Sequence, residues 1–345
     1  MSLESDIFDQ PRVLSNLLAR QAGAANKVAR AICDNDVQYI FLAARGTSDN
    51  AGRFAQYLWG ARNGLPVALA APSLFTYYHQ PPQLKGALVM GISQSGMSPD
   101  IVSVLQEARR QGRPTVTITN TPSSPLSEAA DIIIDTQAGV EKAVAATKTY
   151  TSELMSIAMI SAALRGELET DSILPAVPGW VAQMLALKDE IARLAERYRF
   201  MQQCVVLGRG FNYATAFEWA LKLKELTYVG AEPYSTADFQ HGPIAVVHAG
   251  FPVMAVAPSG ELFDSFFDLL SELRAKREAD LLVISDQDKA LELAQAPIRL
   301  PAGVPEWISP IVNIIAAQLF SYCLTKVKGY DTENPRGLRK VTETN

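Results

Sequence analysis

The feature that most restricts this chain is that it repeats itself at a fixed offset of 164 residues. Arg45-Gly46 returns as Arg209-Gly210, Val89-Met90 ahead of Ser95-Gly96 returns as Val253-Met254 ahead of Ser259-Gly260, and Ala138-Gly139-Val140 returns as Ala302-Gly303-Val304. Chance dipeptides in an apolar background would not hold one register without a gap, so the pattern reads as an internal duplication. Within the first copy, short apolar runs at 39–43, 66–70, 87–92, 115–119 and 132–135 alternate with helical periodicity, through Phe54, Tyr57 and Leu58, over 101–110, and over 145–164. The run 87–92 shows no polar alternation, as expected of a strand buried on both faces. Strands alternating with helices predict two tandem doubly wound α/β domains, each a parallel sheet with helices on both faces. The expected divisions are helices over 1–34, a first domain over 35–170, a linker helix over 171–195, a second domain over 196–330 and a tail over 331–345.

Composition excludes several functions. A net charge of −5 on 345 residues leaves no broad basic surface for nucleic acid or an anionic membrane, so any anion site has to be local. Cys33, Cys204 and Cys323 lie far apart in apolar surroundings, which points to buried thiols in a reducing cytoplasm. No signal peptide is expected, nor an uncharged apolar run long enough to span a bilayer; the serine-interrupted run 154–164 reads as a buried helix. There is neither a metal-ligand spacing nor a GxGxxG fingerprint, so neither a metal nor a dinucleotide cofactor is expected.

The candidate chemistry begins where the 87–92 strand stops. Ser93, Gln94, Ser95, Gly96 and Ser98 precede a helical pattern, and this strand, turn and helix N-terminus suit a phosphate. One serine would be enough to cap an ordinary helix; three hydroxyls and an amide are more than a cap requires. The second copy lacks this cradle, with Ala257-Pro258 in place of Ser93-Gln94 and Phe211-Asn212 in place of Thr47-Ser48. It carries instead Glu218, Lys222 and Glu225, at spacings of four and three on one helix face over 213–228. Such charges usually form a solvated stripe, but Phe217, Trp219, Ala220, Leu221 and Leu223 leave almost no second polar face. Partial burial beside a lysine is one way a carboxylate has its proton affinity set. Of the three histidines, His79 and His248 read as structural, and His241 is the one placed for proton transfer.

Ser93-Gln94-Ser95-Gly96, Arg45-Gly46-Thr47-Ser48, Glu141-Lys142-Ala143-Val144-Ala145-Ala146-Thr147-Lys148, Lys222-Leu223-Lys224-Glu225, His241-Gly242-Pro243 and the tail from Asn334 to Thr342 together resemble the tandem sugar isomerase (SIS) domains of the isomerase half of glucosamine-6-phosphate synthase. The resemblance covers nearly the whole chain and implies a flavodoxin-like fold. It implies that Thr47, Ser48, Ser93, Gln94, Ser95 and Ser98 hold a 6-phosphate, and that Glu225 moves a proton between C1 and C2. It further implies that His241, supplied by a neighbouring subunit, assists ring opening, that Lys340 reacts with the open-chain carbonyl, and that Lys222, Gly46, Val144 and Arg45 line the pocket. The expected partners are a phosphorylated amino sugar and a second copy of the chain in a homodimer with shared active sites.

The chain departs from the synthase pattern at Arg45, where a small residue is usual, and at Met97-Ser98-Pro99-Asp100. With about 35 residues before the first strand, a glutaminase domain is not expected. Ser95-Gly96-Met97-Ser98-Pro99-Asp100, the run Glu141 to Lys148 and the ending Lys340-Val341-Thr342-Glu343-Thr344 resemble instead the stand-alone SIS-type glucosamine-6-phosphate deaminases. The expected activity is therefore conversion of glucosamine 6-phosphate to fructose 6-phosphate and ammonia without a cofactor. The alternatives are a synthase-type isomerase module, an enzyme for a related phosphosugar, and a non-catalytic sugar-phosphate sensor, which usually adds a basic helix-turn-helix that residues 1–38 do not provide.

Overall fold

The computed structural model describes residues 2–170 and 172–340. Val341 and Thr342 of the tail motif, and residue 171 at the expected start of the linker, lie outside the described residues. In chain order, α1 (Leu3–Phe8) and α2 (Gln10–Asp34) precede β1 (Tyr39–Ala43), α3 (Gly46–Asn63), β2 (Val67–Leu69), α4 (Ser73–Thr76), β3 (Ala87–Ile92), α5 (Pro99–Arg110), β4 (Thr115–Thr119), α6 (Pro125–Glu128), β5 (Ile132–Asp135) and α7 (Lys148–Leu164). There follow α8 (Val177–Leu185), α9 (Lys188–Arg197), β6 (Gln203–Gly208), α10 (Tyr213–Lys222), β7 (Gly230–Ser235), α11 (Thr236–Gln240), β8 (Pro252–Val256), α12 (Phe263–Arg277), β9 (Asp280–Ser285), α13 (Asp288–Leu293), β10 (Ala296–Arg299) and α14 (Ser309–Val327).

The first sheet runs β2-β1-β3-β4-β5, and the second β10-β9-β8-β6-β7, the same topology counted from the other edge. Every neighbouring pair of strands is parallel. The 164-residue offset survives in three dimensions: Tyr39 opens β1 as Gln203 opens β6, Pro99 opens α5 as Phe263 opens α12, and Ile132 opens β5 as Ala296 opens β10. β3 and β4 are buried at every position, as expected for central strands covered on both faces.

Each domain is held by one long apolar helix. α7 is buried from Lys148 to Ala162, packs against α2 and α3, and accepts the Trp59 indole N–H at the Ile157 carbonyl (3.1 Å). α14 is buried from Ser309 to Thr325 and packs against α9 and α10, with Phe320 edge-on to Trp219 at 5.8 Å between ring centroids. Each fully buried Leu, Ile, Met or Phe contributes about 1.5–3 kcal/mol, so packing rather than helix propensity fixes these two helices. By length and composition α14 could cross a membrane, contrary to the expectation that no such run exists. Inside the domain, 89% of that stretch is buried, which makes it a core helix.

Several boundaries differ from the expected ones. The helix expected from about 145 begins at Lys148, because residues 141–147 fold irregularly around the Glu141 carboxylate. The helix expected over 213–228 is α-helical only to Lys222 and continues as a π-helical turn, Leu223–Thr227, ended by Tyr228 in the left-handed region (φ 56°). The expected linker helix is two helices, α8 and α9, because Ala186 and Leu187 break the run. The two N-terminal helices also divide: residues up to Phe8 group with the second domain, where the Glu4 carboxylate accepts from the Tyr322 hydroxyl (2.8 Å) and pairs with Lys188, whereas α2 belongs to the first.

Candidate functional site

In doubly wound sheets, ligands bind outside the carboxyl ends of the strands where the strand order reverses. That point lies between β1 and β3 in the first domain and between β6 and β8 in the second. After β3 the chain turns through Ser93, Gln94 and Ser95 into Gly96, whose φ of 63° is left-handed. A Cβ on Gly96 would sit 2.0 Å from Ser124 Oγ, so the turn needs glycine. The Gly96 N–H donates to Ser93 Oγ at 3.1 Å and the Met97 N–H to Ser95 Oγ at 3.3 Å. A hydroxyl that accepts from the backbone keeps its own proton to donate outward. Ser98 stands at the N-cap of α5, yet its hydroxyl makes no capping bond. Plain helix capping therefore does not account for these side chains. The turn is fixed from behind by the Asn120 N–H on the Gln94 carbonyl (3.1 Å) and the Leu126 N–H on the Gly96 carbonyl (3.2 Å). Gly96→Ala adds about 1–2 kcal/mol of backbone strain and about 1–3 kcal/mol of overpacking; a urea midpoint equal to the wild type's would refute this.

Across the switch point, Arg45 is the N-cap residue of α3, and Gly46, Thr47 and Ser48 form its first turn. Ser48 donates its hydroxyl to Glu153 Oε1 (2.8 Å), a carboxylate that α7 presents from a buried position. Arg45 Nε donates to Asp100 Oδ2 at 2.8 Å; Asp100 is fully buried and the arginine half exposed. This pair ties the start of α3 to the start of α5 and leaves the remaining guanidinium N–H groups for another acceptor.

The matching point of the second domain is filled from within. Asp286 accepts both the Ser259 N–H (2.7 Å) and the Ser259 hydroxyl (2.6 Å), and Glu306 accepts the Glu261 N–H (3.1 Å). Gly260 has a φ of 153°, and a Cβ there would meet the Glu306 carboxyl carbon at 2.2 Å. Burial raises the Glu306 carboxyl above its ordinary value, more than the Glu261 backbone N–H that it accepts brings it down. Donors that would meet an external anion are committed to the chain's own carboxylates. The loss of Ser-Gln to Ala257-Pro258 was visible in the sequence, whereas this filling was not.

The second domain brings the ionisable groups together. Lys222 Nζ lies 2.6 Å from Glu225 Oε2 and 3.3 Å from Glu218 Oε1. The Lys222 and Glu218 side chains are 1% and 0% exposed, and that of Glu225 is 23% exposed. Burial alone would lower the Lys222 ammonium, but the two carboxylates outweigh it and hold it above its ordinary value. Glu225 is thus the member of the trio open to solvent, on a π-helical turn of the kind often found at functional sites. Such a carboxylate can take a proton and return it while a fixed cation balances its charge. His241 ends α11 with its backbone N–H on the Asp238 carbonyl (3.1 Å), and its side chain is exposed.

Lys340 groups with the first domain, where its Nζ lies 3.0 Å from Glu141 Oε2. Half-buried Val144 belongs to the same irregular segment. Burial would raise the Glu141 carboxyl, but Lys340 and the Thr147 and Thr149 donors outweigh it and hold it below the usual carboxylate range. A depressed carboxyl contributes stability that is complete above its ordinary value and lost as pH falls through the folded one, so this pair is intact at neutral pH. Glu141, Glu153, Asp100 and Glu306 were not singled out from the sequence as site groups. The one available signal was a lone carboxylate in an apolar setting, as at Glu153.

Residues 35–163 and 201–327 each match the SIS domain model, and the chain belongs to the SIS domain family. Its relatives include the glutamine–fructose-6-phosphate aminotransferase [isomerizing] of Pyrococcus horikoshii, 33% identical over 341 residues, covering 97% of this chain and 56% of that protein. The enzyme of the same name from Pectobacterium atrosepticum is 33% identical over 356 residues, covering 98% and 58%. The chain thus spans somewhat more than half the length of these curated relatives. The C-terminal domain of glucosamine-fructose-6-phosphate aminotransferase from Francisella tularensis superposes with a TM-score of 0.86 at 29% identity, over 96% of this chain and 98% of that one. A glucosamine-6-phosphate deaminase from Thermotoga maritima shares the fold, with a TM-score of 0.76 at 18% identity over 100% of both chains.

Proposed function

We propose that this chain is a phosphosugar isomerase module of the glutamine–fructose-6-phosphate aminotransferase type, moving a proton between C1 and C2 of a hexose 6-phosphate that carries nitrogen at C2. The observation that carries the reading is the division of labour between the two copies. One switch point keeps free hydroxyl protons for an anion, and the other is filled by carboxylates while its domain presents the Glu225–Lys222–Glu218 trio.

In this reading the hydroxyls of Thr47, Ser93, Ser95 and Ser98, the Gln94 amide, Arg45 and the N-termini of α3 and α5 hold the phosphate, supplying binding energy remote from the reacting carbons. Ser48 gives its proton to Glu153 and acts by fixing the turn. His241, donated by a second copy, helps open the ring. The Lys340 amine adds to the open-chain carbonyl, whose oxygen leaves as water with the two amine hydrogens, forming an imine. Ammonia displaces the lysine from C2. Glu225 then takes the C1 proton of the fructose-type imine and returns it at C2, giving the amino aldose, and the reverse sequence releases ammonia. In deuterium oxide, fructose 6-phosphate with ammonium, or glucosamine 6-phosphate, gains deuterium at C1 or C2 as read by NMR. No incorporation from either substrate would reject the reading.

A second reading, a stand-alone deaminase, is favoured by the Arg45–Asp100 pair, built from two positions where the chain departs from the synthase pattern. Rapid ammonia release from glucosamine 6-phosphate, with amination of fructose 6-phosphate negligible even at high ammonium, selects it. For the shared dimer, mixing His241→Ala and Glu225→Gln subunits restores activity that neither has alone, because a hybrid dimer contains one intact site. Mixtures that remain inactive after subunit exchange would count against shared sites.

A further inference from the structure

Glu141 occupies an unusual position for a carboxylate. Its side chain is wholly buried, yet it lies in an irregular segment rather than in a helix or strand. Oε1 accepts the Thr147 N–H at 2.9 Å, and Oε2 accepts the Thr149 hydroxyl at 2.7 Å. Both partners stand at the start of α7, so the carboxylate folds segment 141–147 back against that helix N-terminus. Anions are favoured there by the unpaired N–H groups and the helix dipole. Among the described residues the cation paired with this carboxylate is Lys340, at 3.0 Å, whose own side chain is 21% exposed. A buried carboxylate serving only to cap α7 needs no distant lysine, since Thr147 and Thr149 already supply its donors.

We propose that Glu141 is a positioning residue that latches the C-terminal tail to the first domain by holding Lys340, and so sets the lysine where it can meet an open-chain carbonyl. The second half of this statement rests on the isomerase reading above; the latch itself does not. Between turnovers the lysine is parked as an ammonium on a fixed carboxylate. To react it must give up one proton and leave that partner, and the amine lone pair then forms the C–N bond as the carbonyl oxygen departs in water. The segment that follows the carboxylate, Lys142 to Ala146, contains Val144, so one turn carries both the latch and a pocket residue.

Glu141→Gln tests the latch with little disturbance of the fold, because an amide carbonyl in the Oε1 position still accepts the Thr147 N–H and an amide NH2 in the Oε2 position can donate to the Thr149 hydroxyl oxygen, while the charge that faces Lys340 is lost. Limited trypsin digestion followed by intact-mass measurement reads loss of the tail after Arg336 or Arg339, without any substrate. Tail loss is expected to be at least tenfold faster in Glu141→Gln than in the wild type. Lys340→Met, which breaks the pair from the other side, gives the same acceleration, and the double variant adds nothing further. Wild-type protection in either single variant would overturn the proposal. A second measurement traps the imine with borohydride in the presence of fructose 6-phosphate. The expected result is a labelled Lys340 peptide in the wild type and at least tenfold less label in Glu141→Gln, with kcat lowered by a similar factor and KM little changed. Equal labelling and equal kcat in Glu141→Gln would overturn the positioning role. A wild type without label, together with fast tail loss in the variant, would sink the role given to Lys340 and uphold the latch, so the two ideas fail separately.

Discussion

Glu225→Gln removes turnover by at least about a hundredfold while a hexose 6-phosphate still binds. The amide keeps the shape of the carboxylate and can still face Lys222 through its carbonyl oxygen, but it cannot take a proton from carbon. The proposed phosphate donors belong to the other domain, on the turns after β1 and β3, and are untouched by the change. The expected signature is therefore a fall in kcat with KM within a few-fold of the wild type, and loss of deuterium incorporation from solvent. Stability changes little, because Lys222 keeps Glu218 at 3.3 Å as its counter-charge. Turnover within tenfold of the wild type would remove Glu225 from the role of base.

Lys222→Met is the larger test of structure. It takes away a cation that lies between two carboxylates, one of them, Glu218, fully buried. Breaking a buried pair by removing one partner costs about 3–5 kcal/mol, because the buried carboxylate loses the cation that balanced its charge. A urea midpoint within experimental error of the wild type's would show that the trio is not coupled as its geometry implies. Adding Glu218→Leu to Lys222→Met recovers much of the loss, since the surroundings are apolar and the stranded charge is gone. The sign with pH follows from the raised ammonium. A group whose proton affinity is higher in the folded state contributes fully below its unfolded value, and loses that contribution only as pH rises through the folded one. The gap between wild type and variant is therefore flat across neutral and mildly alkaline pH and narrows only at strongly alkaline pH.

Much of the second-domain trio was legible because helix geometry is local. Spacings of four and three put Glu218, Lys222 and Glu225 on one face, and the lack of any other polar face implied burial. The π-helical turn under Glu225 was not legible, since it depends on how α10 packs between β7 and α14. The serine turn after β3 was visible for similar reasons, as small hydroxyl residues ending an apolar run. Which hydroxyls keep a proton to give was not, because Ser48 loses its own to Glu153, 105 residues away in sequence.

The amino-acid order by itself determined the architecture: a register of 164 residues, parallel strands alternating with helices, and one copy with a serine-rich turn that the other lacks. These follow from short-range rules of periodicity, turn chemistry and helix spacing. Tertiary structure alone decided where the charges are answered: Arg45 on Asp100, Lys340 on Glu141, and Glu306 over the second domain's glycine turn. The physical reason is that a charged group's behaviour is set by burial and by neighbours within a few ångströms, and those neighbours come from strands and helices that only the folded sheet brings together.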